Sequence, residues 1–511
     1  LAPGVDCALS TAPDHSNLLV QRNTGATEKT RKSHILSGIS PDGNYSVYNN
    51  TLNCSEKAVK ERVFFVKNGP TFEAPPRPAP GLFKARLEGM YNRLKKNVKF
   101  SNPMSPEAFA LSYQAPKQTV YLNAVASLSL KPYRARDAYI QAFTKCEKYK
   151  FSATKPPVPR IIQPRSPRYN VCVGRYLKPI EKKIYESINN IFGSTTIAKG
   201  LNVVSRAQVI VQHFGSFCDP VAVGLDASRF DQHVSQEALK WEHSIYDLYY
   251  HSPELRSLLK QQLTNKCFIN QPGGHIRYKT DGCRMSGDMN TSLGNCLLMT
   301  SMVWAYSNEK SIPIRLINDG DDCVVFMERK HYTAFITSLP SWFLEMGFTM
   351  TVEDPVYILE RVSFCSSNPV YTPGGYIMVR DPRKVIVKDN ISLVNFQSPK
   401  VTRRWLSGVG KGGLAMCGGI PVLQEFYQTI LNASQGYADN KYYEDRRLLM
   451  LGDGVHRSYS VPTPETRFSF YLAFGIDPRC QTAIEDSFRC SNLTYKSVDE
   501  LHHIVLPMET L

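Results

Sequence analysis

Ile317-Asn318-Asp319-Gly320-Asp321-Asp322-Cys323-Val324-Val325-Phe326-Met327 decides how this chain folds. Two apolar runs, 312–317 and 323–327, flank five residues rich in Asp and Gly. Asp and Gly tolerate the backbone angles of a tight turn, so the stretch predicts a β-hairpin with Asp321 and Asp322 at its tip. Upstream, the apolar run 221–225 reads as a buried strand. It ends at Asp226, and Asp231 follows five residues later. If the two strands are neighbours, Asp226 and Asp321 converge. Adjacent Asp residues are often mere turn formers, and Asp-x4-Asp alone is weaker still. Here they sit at the ends of buried strands, where crowded carboxylates repel one another unless a cation is present. Carboxylates are preferred Mg²⁺ ligands, and a pair of such ions about 3.5–4 Å apart can activate one oxygen and stabilise another.

Around this centre, helical spacing is expected over 82–98, 236–250 and 332–346, the last stopped by Gly347. Residues 286–306 begin small and polar and turn apolar, which suits a helix entering a core. Short strands are expected at 349–352, 357–364 and 376–379. Residues 1–60 read as a loose lead-in, and Pro75-Pro76-Arg77-Pro78 as a linker. There are no internal repeats. The order strand, helix, helix, hairpin, helix predicts an α+β domain with a largely antiparallel sheet.

The 511 residues carry 61 Lys and Arg against 45 Asp and Glu, a net charge of +16. Apolar residues make up 42%, enough for a large core and too many for a disordered chain. The charge points to a polyanion or an anionic surface. It is concentrated: residues 131–183 hold 14 Lys and Arg against three acidic residues. Within them, Lys155, Arg160, Arg165 and Arg168 are interleaved with Pro156, Pro157, Pro159, Pro164 and Pro167. Proline prevents helix formation and keeps such a strand extended. The planar guanidinium fork suits phosphate. A basic linker is the plainer reading. The 13 cysteines are scattered without a CxxC pair, which argues against a disulfide scaffold or zinc ribbon. No apolar run approaches the ~18 residues of a membrane span. No signal-peptide pattern opens the chain, and its start at Leu1 suggests a processed, fused or truncated product. Gly408-Val409-Gly410-Lys411-Gly412-Gly413 fails as a phosphate loop, because Trp405 stands where a glycine is needed and Gly412 where Ser or Thr is needed.

Asp226-x4-Asp231, then Ser286-Gly287-Asp288-Met289-Asn290-Thr291-Ser292-Leu293-Gly294-Asn295, then Gly320-Asp321-Asp322 form an ordered set. This set resembles motifs A, B and C of a positive-strand RNA virus RNA-dependent RNA polymerase. The segments 158–170 and 418–427 narrow the likeness to the tombusvirus-like group, which includes luteovirus, umbravirus and dianthovirus types.

The resemblance implies a right-hand polymerase of fingers, palm and thumb with an antiparallel palm sheet. Residues 1–80 would be a lead-in and linker, 81–220 fingers, 221–365 palm with an interleaved fingers segment, and 366–511 thumb and tail. Asp226, Asp321 and Asp322 would be the catalytic, metal-holding residues, with Mg²⁺ or Mn²⁺ as cofactor. Asp231, Ser286, Thr291 and Asn295 would recognise the ribose. Lys155, Arg160, Arg165 and Arg168 would bind the triphosphate. Phe364-Cys365 resembles motif E. The lysine often placed in motif D is missing from 347–353, so no general acid is assigned, and 408–413 becomes a thumb loop. Expected partners are RNA template and product, ribonucleoside triphosphates and an upstream viral replication protein made as part of a readthrough or frameshift product. Host membranes would be reached only indirectly, in cytoplasmic replication complexes. Two rivals remain: a reverse transcriptase-like palm polymerase and a non-catalytic, basic RNA-binding replication protein.

Overall fold

The strand Pro220–Ala227 is the organising element of the computed structural model, which describes residues 2–36, 38, 45–151, 156–394, 396, 398–436 and 454–491. It lies in a four-stranded antiparallel sheet in the order Arg315–Asp319, Asp322–Glu328, Pro220–Ala227, Met350–Val352. Successive side chains on a strand point to opposite faces, and both faces of this sheet are covered. Val221, Val223, Leu225, Val325 and Met327 join the largest core, with the helices Pro167–Phe192, Gln236–Asp247 and Thr291–Glu309. Ala222, Val324 and Phe326 pack on the other side against the helix Val203–Phe214. Two-sided burial explains why these strands read as continuous apolar runs.

Local chemistry fixes the helices. Pro167–Phe192 starts at Ser166, whose side chain accepts from the Tyr169 amide, with Pro167 in its first turn. It stops at Gly193, whose φ of 66° is the left-handed geometry of a helix end. Thr291–Glu309 is apolar on nearly every side and is buried on nearly every side.

The expected hairpin, the strand at 221–225 and the helices at 236–250 and 286–306 are all present, with ends shifted by a few residues. Other expectations are corrected. Residues 332–346 form two short helices, Tyr332–Thr337 and Leu339–Glu345, and 82–98 likewise divides into Leu82–Arg86 and Glu88–Lys96. Residues 357–364 hold only the single turn Leu359–Arg361. The segment 408–413 is no loop: it lies inside the helix Pro399–Cys417. A side chain at Gly410 would collide with Leu431 and one at Gly413 with the Tyr427 ring, so these glycines let Leu423–Ala433 pack closely.

The N-terminal region is not a loose lead-in. Leu18–Arg22 pairs with Gly274–Asp281, which pairs with Thr264–Gln271. Lys32–Ile35 pairs with Ile391–Ser392. The N-terminal segment therefore ties the middle of the chain to its C-terminal part. The latter has its own core, built on Trp405, Leu406, Phe426 and Phe470. No helix among the described residues is long and apolar enough to cross a membrane.

Three enclosed histidines, His213, His233 and His243, are each pushed down to about 4, chiefly by burial. They are neutral in the fold but take up protons near pH 6.5 when unfolded. The unfolded chain therefore binds more protons between these values, and stability falls as pH drops from about 6.5 towards 4. Denaturant melts at pH 7.5 and 5 should show this loss, and His213→Gln should reduce it. Equal stability at both pH values would contradict the assignment.

Candidate active site

The hairpin tip is shaped by its own residues. Gly320 has a φ of 89°, which side-chain-bearing residues rarely adopt. The Asn318 amide donates to the carbonyls of Gly320 (2.7 Å) and Asp322 (3.2 Å), bracing the turn from inside. Beneath it, Asp319 is gripped by Arg206, Nη2 to Oδ2 at 2.6 Å, and by Lys199. Burial opposes its ionisation, but these two cations hold its carboxyl below the usual range. Arg206 also reaches the carbonyls of Leu201 and Ala198 and the Cys365 thiol. Cys365 and Ser366 both have positive φ, in a tight turn between Phe364 and Ser367.

Strand register brings the carboxylates together. Asp322 stands directly opposite Asp226 on the neighbouring strand, and Asp226 and Asp321 line one cleft of about 500 Å³. Burial raises the Asp226 pKa, and the Asp321 charge raises it further. Among the described residues no Lys or Arg is paired with Asp226 or Asp321. Glu353 adds to the crowding. It lies over Gly224, where a side chain would overlap it, and burial with the charges of Asp226 and Asp322 raises its pKa. Among the described residues no group of three or more His, Cys, Asp or Glu side chains is gathered closely enough to hold a metal ion by itself. An open set of carboxylates with uncompensated charge fits an ion that keeps its waters and takes phosphate oxygens as ligands.

Asp231 lies in the same cleft on the short helix Phe230–His233. One carboxylate oxygen accepts from Ser286 Oγ, and the other from Asn295 Nδ2 at 2.9 Å. Burial raises its pKa in spite of those bonds. The loop carrying Ser286 is stitched to this helix by bonds from Arg284 N to Asp231 O and from Cys283 N to Val234 O, each 2.8 Å. Thr291 stands apart: its hydroxyl donates to the Met285 carbonyl at 3.1 Å and pins that loop.

Cations line the same cleft. Arg160 faces the cleft beside Lys145, and both share the single carboxylate of Glu147. Two further arginines there, Arg62 and Arg229, have no signal in the sequence pattern. Arg62 is pushed down to about 10 by burial and by the charges of Arg229 and Arg160. Arg229, with a φ of 49°, donates to carbonyls at Glu61 and Phe65. Such unbalanced positive charge suits a polyanionic ligand.

Two of the expected phosphate binders are engaged elsewhere. Arg165 is buried and committed to Asp288, Nε to Oδ1 at 2.5 Å, and to Asn265. Arg168 bonds Asp137, Ser127 and the carbonyls of Lys131 and Pro132. Neither is among the residues that line the cleft. Lys155 lies outside the described residues.

The sequence pattern of a family described as viral RNA dependent RNA polymerase matches residues 18–496. The chain belongs to that family. It is 40% identical to the RNA-directed RNA polymerase of Oat chlorotic stunt virus, over 98% of this chain and 69% of the relative. It is 42% identical to that of Tobacco necrosis virus (strain A), over 94% of this chain and 67% of the relative. Against Turnip crinkle virus the figures are 39%, 90% and 60%. These are polymerases of the tombusvirus-like group of plant viruses. This polymerase is accordingly a nucleotidyltransferase that copies RNA from RNA in replicating a viral genome. The reverse transcriptase and non-catalytic readings are set aside.

The ion pairs under the turn make a stability prediction. Asp319→Ala would leave Arg206 buried without its carboxylate, and removing one partner of a buried pair costs about 3–5 kcal/mol. Chemical denaturation should register a loss of that order; a loss under about 1 kcal/mol, typical of exposed pairs, would contradict the role given to Asp319.

Proposed function

We propose that the cleft between the carboxylates and the arginines is where a ribonucleoside triphosphate is joined to the growing RNA. The reading rests on one observation: Asp226 and Asp321, neither paired with a Lys or Arg among the described residues, line one cleft together with Arg62, Lys145, Arg160 and Arg229. The four-stranded sheet then corresponds to the palm. The basic segment around Arg160, with the hairpin formed by Thr264–Gln271 and Gly274–Asp281, corresponds to fingers, and the helices after residue 398 to thumb.

Asp226 and Asp321 would hold two divalent cations, Mg²⁺ or Mn²⁺, with Asp322 assisting. When bound, these ions favour ionisation of the RNA 3′-hydroxyl and neutralise the charge that builds on the phosphates. Arg62, Arg160, Arg229 and Lys145 would orient the triphosphate and stabilise the departing pyrophosphate. Phosphoryl transfer needs positioning and charge neutralisation rather than a covalent nucleophile from the protein. Asp231 and Asn295, with Ser286, would read the ribose 2′-hydroxyl, which both donates and accepts hydrogen bonds. A deoxy sugar would leave polar groups unpaired and be rejected.

The further partners in this reading are an RNA template and its product, and an upstream viral replication protein that brings the polymerase to host membranes in the cytoplasm.

Two variants test the site. Asp321→Ala, supplied with template, nucleotides and Mg²⁺, should incorporate nothing above background; undiminished incorporation would overturn the assignment. Arg62→Ala should raise the KM for nucleotide roughly tenfold or more, as expected for loss of a charge-assisted phosphate contact. An unchanged KM would remove Arg62 from the site.

A further inference from the structure

Behind the ribose-facing side of the cleft lies an ion pair with no solvent exposure. The side chains of Glu242 and Arg284 are both at 0%. Arg284 Nη2 contacts Glu242 Oε2, and Nη1 donates to Oε1 at 3.2 Å. The remaining guanidinium nitrogen is used differently: Nε donates to Asn295 Oδ1 at 3.0 Å. Glu242 is held in turn by the Asn290 amide at 2.6 Å and the Tyr246 hydroxyl at 2.8 Å. The Thr291–Glu309 helix makes room for this pair with Gly294. A side chain there would lie 2.3 Å from Arg284 Nη2 and 2.4 Å from Glu242 Oε1.

A buried ion pair is a poor way to gain stability, since apolar side chains of similar volume do as well or better. Its geometry supplies direction instead. The Asn295 carboxamide has a donor end and an acceptor end that exchange on a half-turn. Arg284 Nε can only donate, so it holds Oδ1 and turns Nδ2 towards Asp231 Oδ1. The fork also fixes how far Arg284 reaches, because Glu242 grips its other two nitrogens.

We propose that Glu242 and Arg284 are a positioning pair that sets the polymerase's preference for ribose over deoxyribose, by locking the Asn295 amide against Asp231. Neither residue touches the sugar. The inference rests on the reading of Asp231 and Asn295 as the groups that meet the 2′-hydroxyl. A merely structural role predicts weaker folding but no change in sugar preference.

The test is the ratio of kcat/KM for NTP over dNTP, measured with the full chain on one template. Arg284→Lys retains a cation for Glu242 but loses the planar fork. The double variant Glu242→Leu, Arg284→Met removes the charges together and preserves the packing, so it is expected to fold. In both, the ratio should fall at least tenfold. Asn295→Ala is the control, because it removes the amide itself. If Asn295→Ala loses discrimination while the folded Arg284→Lys and double variants keep it, the positioning role is overturned and the ribose reading stands. If Asn295→Ala keeps full discrimination, the ribose reading fails and the inference falls with it. Should the double variant fail to fold, Arg284→Lys decides alone: a lost preference supports the pair, and an intact one overturns it.

Discussion

Antiparallel pairing between Pro220–Ala227 and Asp322–Glu328 sets Asp226 and Asp322 directly across from one another, with Asp321 one residue away at the tip. Like charges opposite each other on neighbouring strands are destabilising. The surrounding structure holds them there nonetheless. Both faces of the sheet are packed, the turn is braced by Asn318, and Asp319 is pulled down by Arg206 and Lys199. Strain of this kind is tolerated at functional sites because the scaffold over-determines the geometry.

The rest of the cleft answers that negative centre. Arg62, Arg160, Arg229 and Lys145 come from different parts of the chain and bring opposite charge to the same cleft. Arg165 and Arg168 make that possible indirectly. Their pairings with Asp288 and Asp137 fasten the proline-rich segment so that Arg160 can face inwards. At the Asp231 end of the cleft, the chain from Glu242 through Arg284 and Asn295 to Asp231 extends the same principle. Groups that line the cleft are oriented by buried partners behind them.

The carboxylate hairpin and its neighbouring strand were legible because their signals are local: apolar runs, turn residues and spacing. The N-terminal pairings were not. Leu18–Arg22 is five residues long and finds its partner some 250 residues away, so no periodicity within residues 1–60 announces it. The glycines at 408–413 look like a loop in sequence, but they serve helix contact, which depends on Tyr427 and Leu431 from a later helix. Charge was similarly ambiguous. Arg165 and Arg160 share one basic stretch, and only the fold reveals that Asp288 claims the first. Arg62, Arg229 and Arg284 carry no local signature, because their roles come from tertiary neighbours.

The central claim is that the fold forces uncompensated carboxylates together for a divalent cation to neutralise. Thermal melting of the wild type and Asp226→Asn, first in chelator and then with increasing Mn²⁺, tests it most directly. The account predicts that the variant melts higher than the wild type in chelator, and that added Mn²⁺ stabilises the wild type much more than the variant. A variant that melts lower in chelator, with the same response to Mn²⁺ as the wild type, would contradict it.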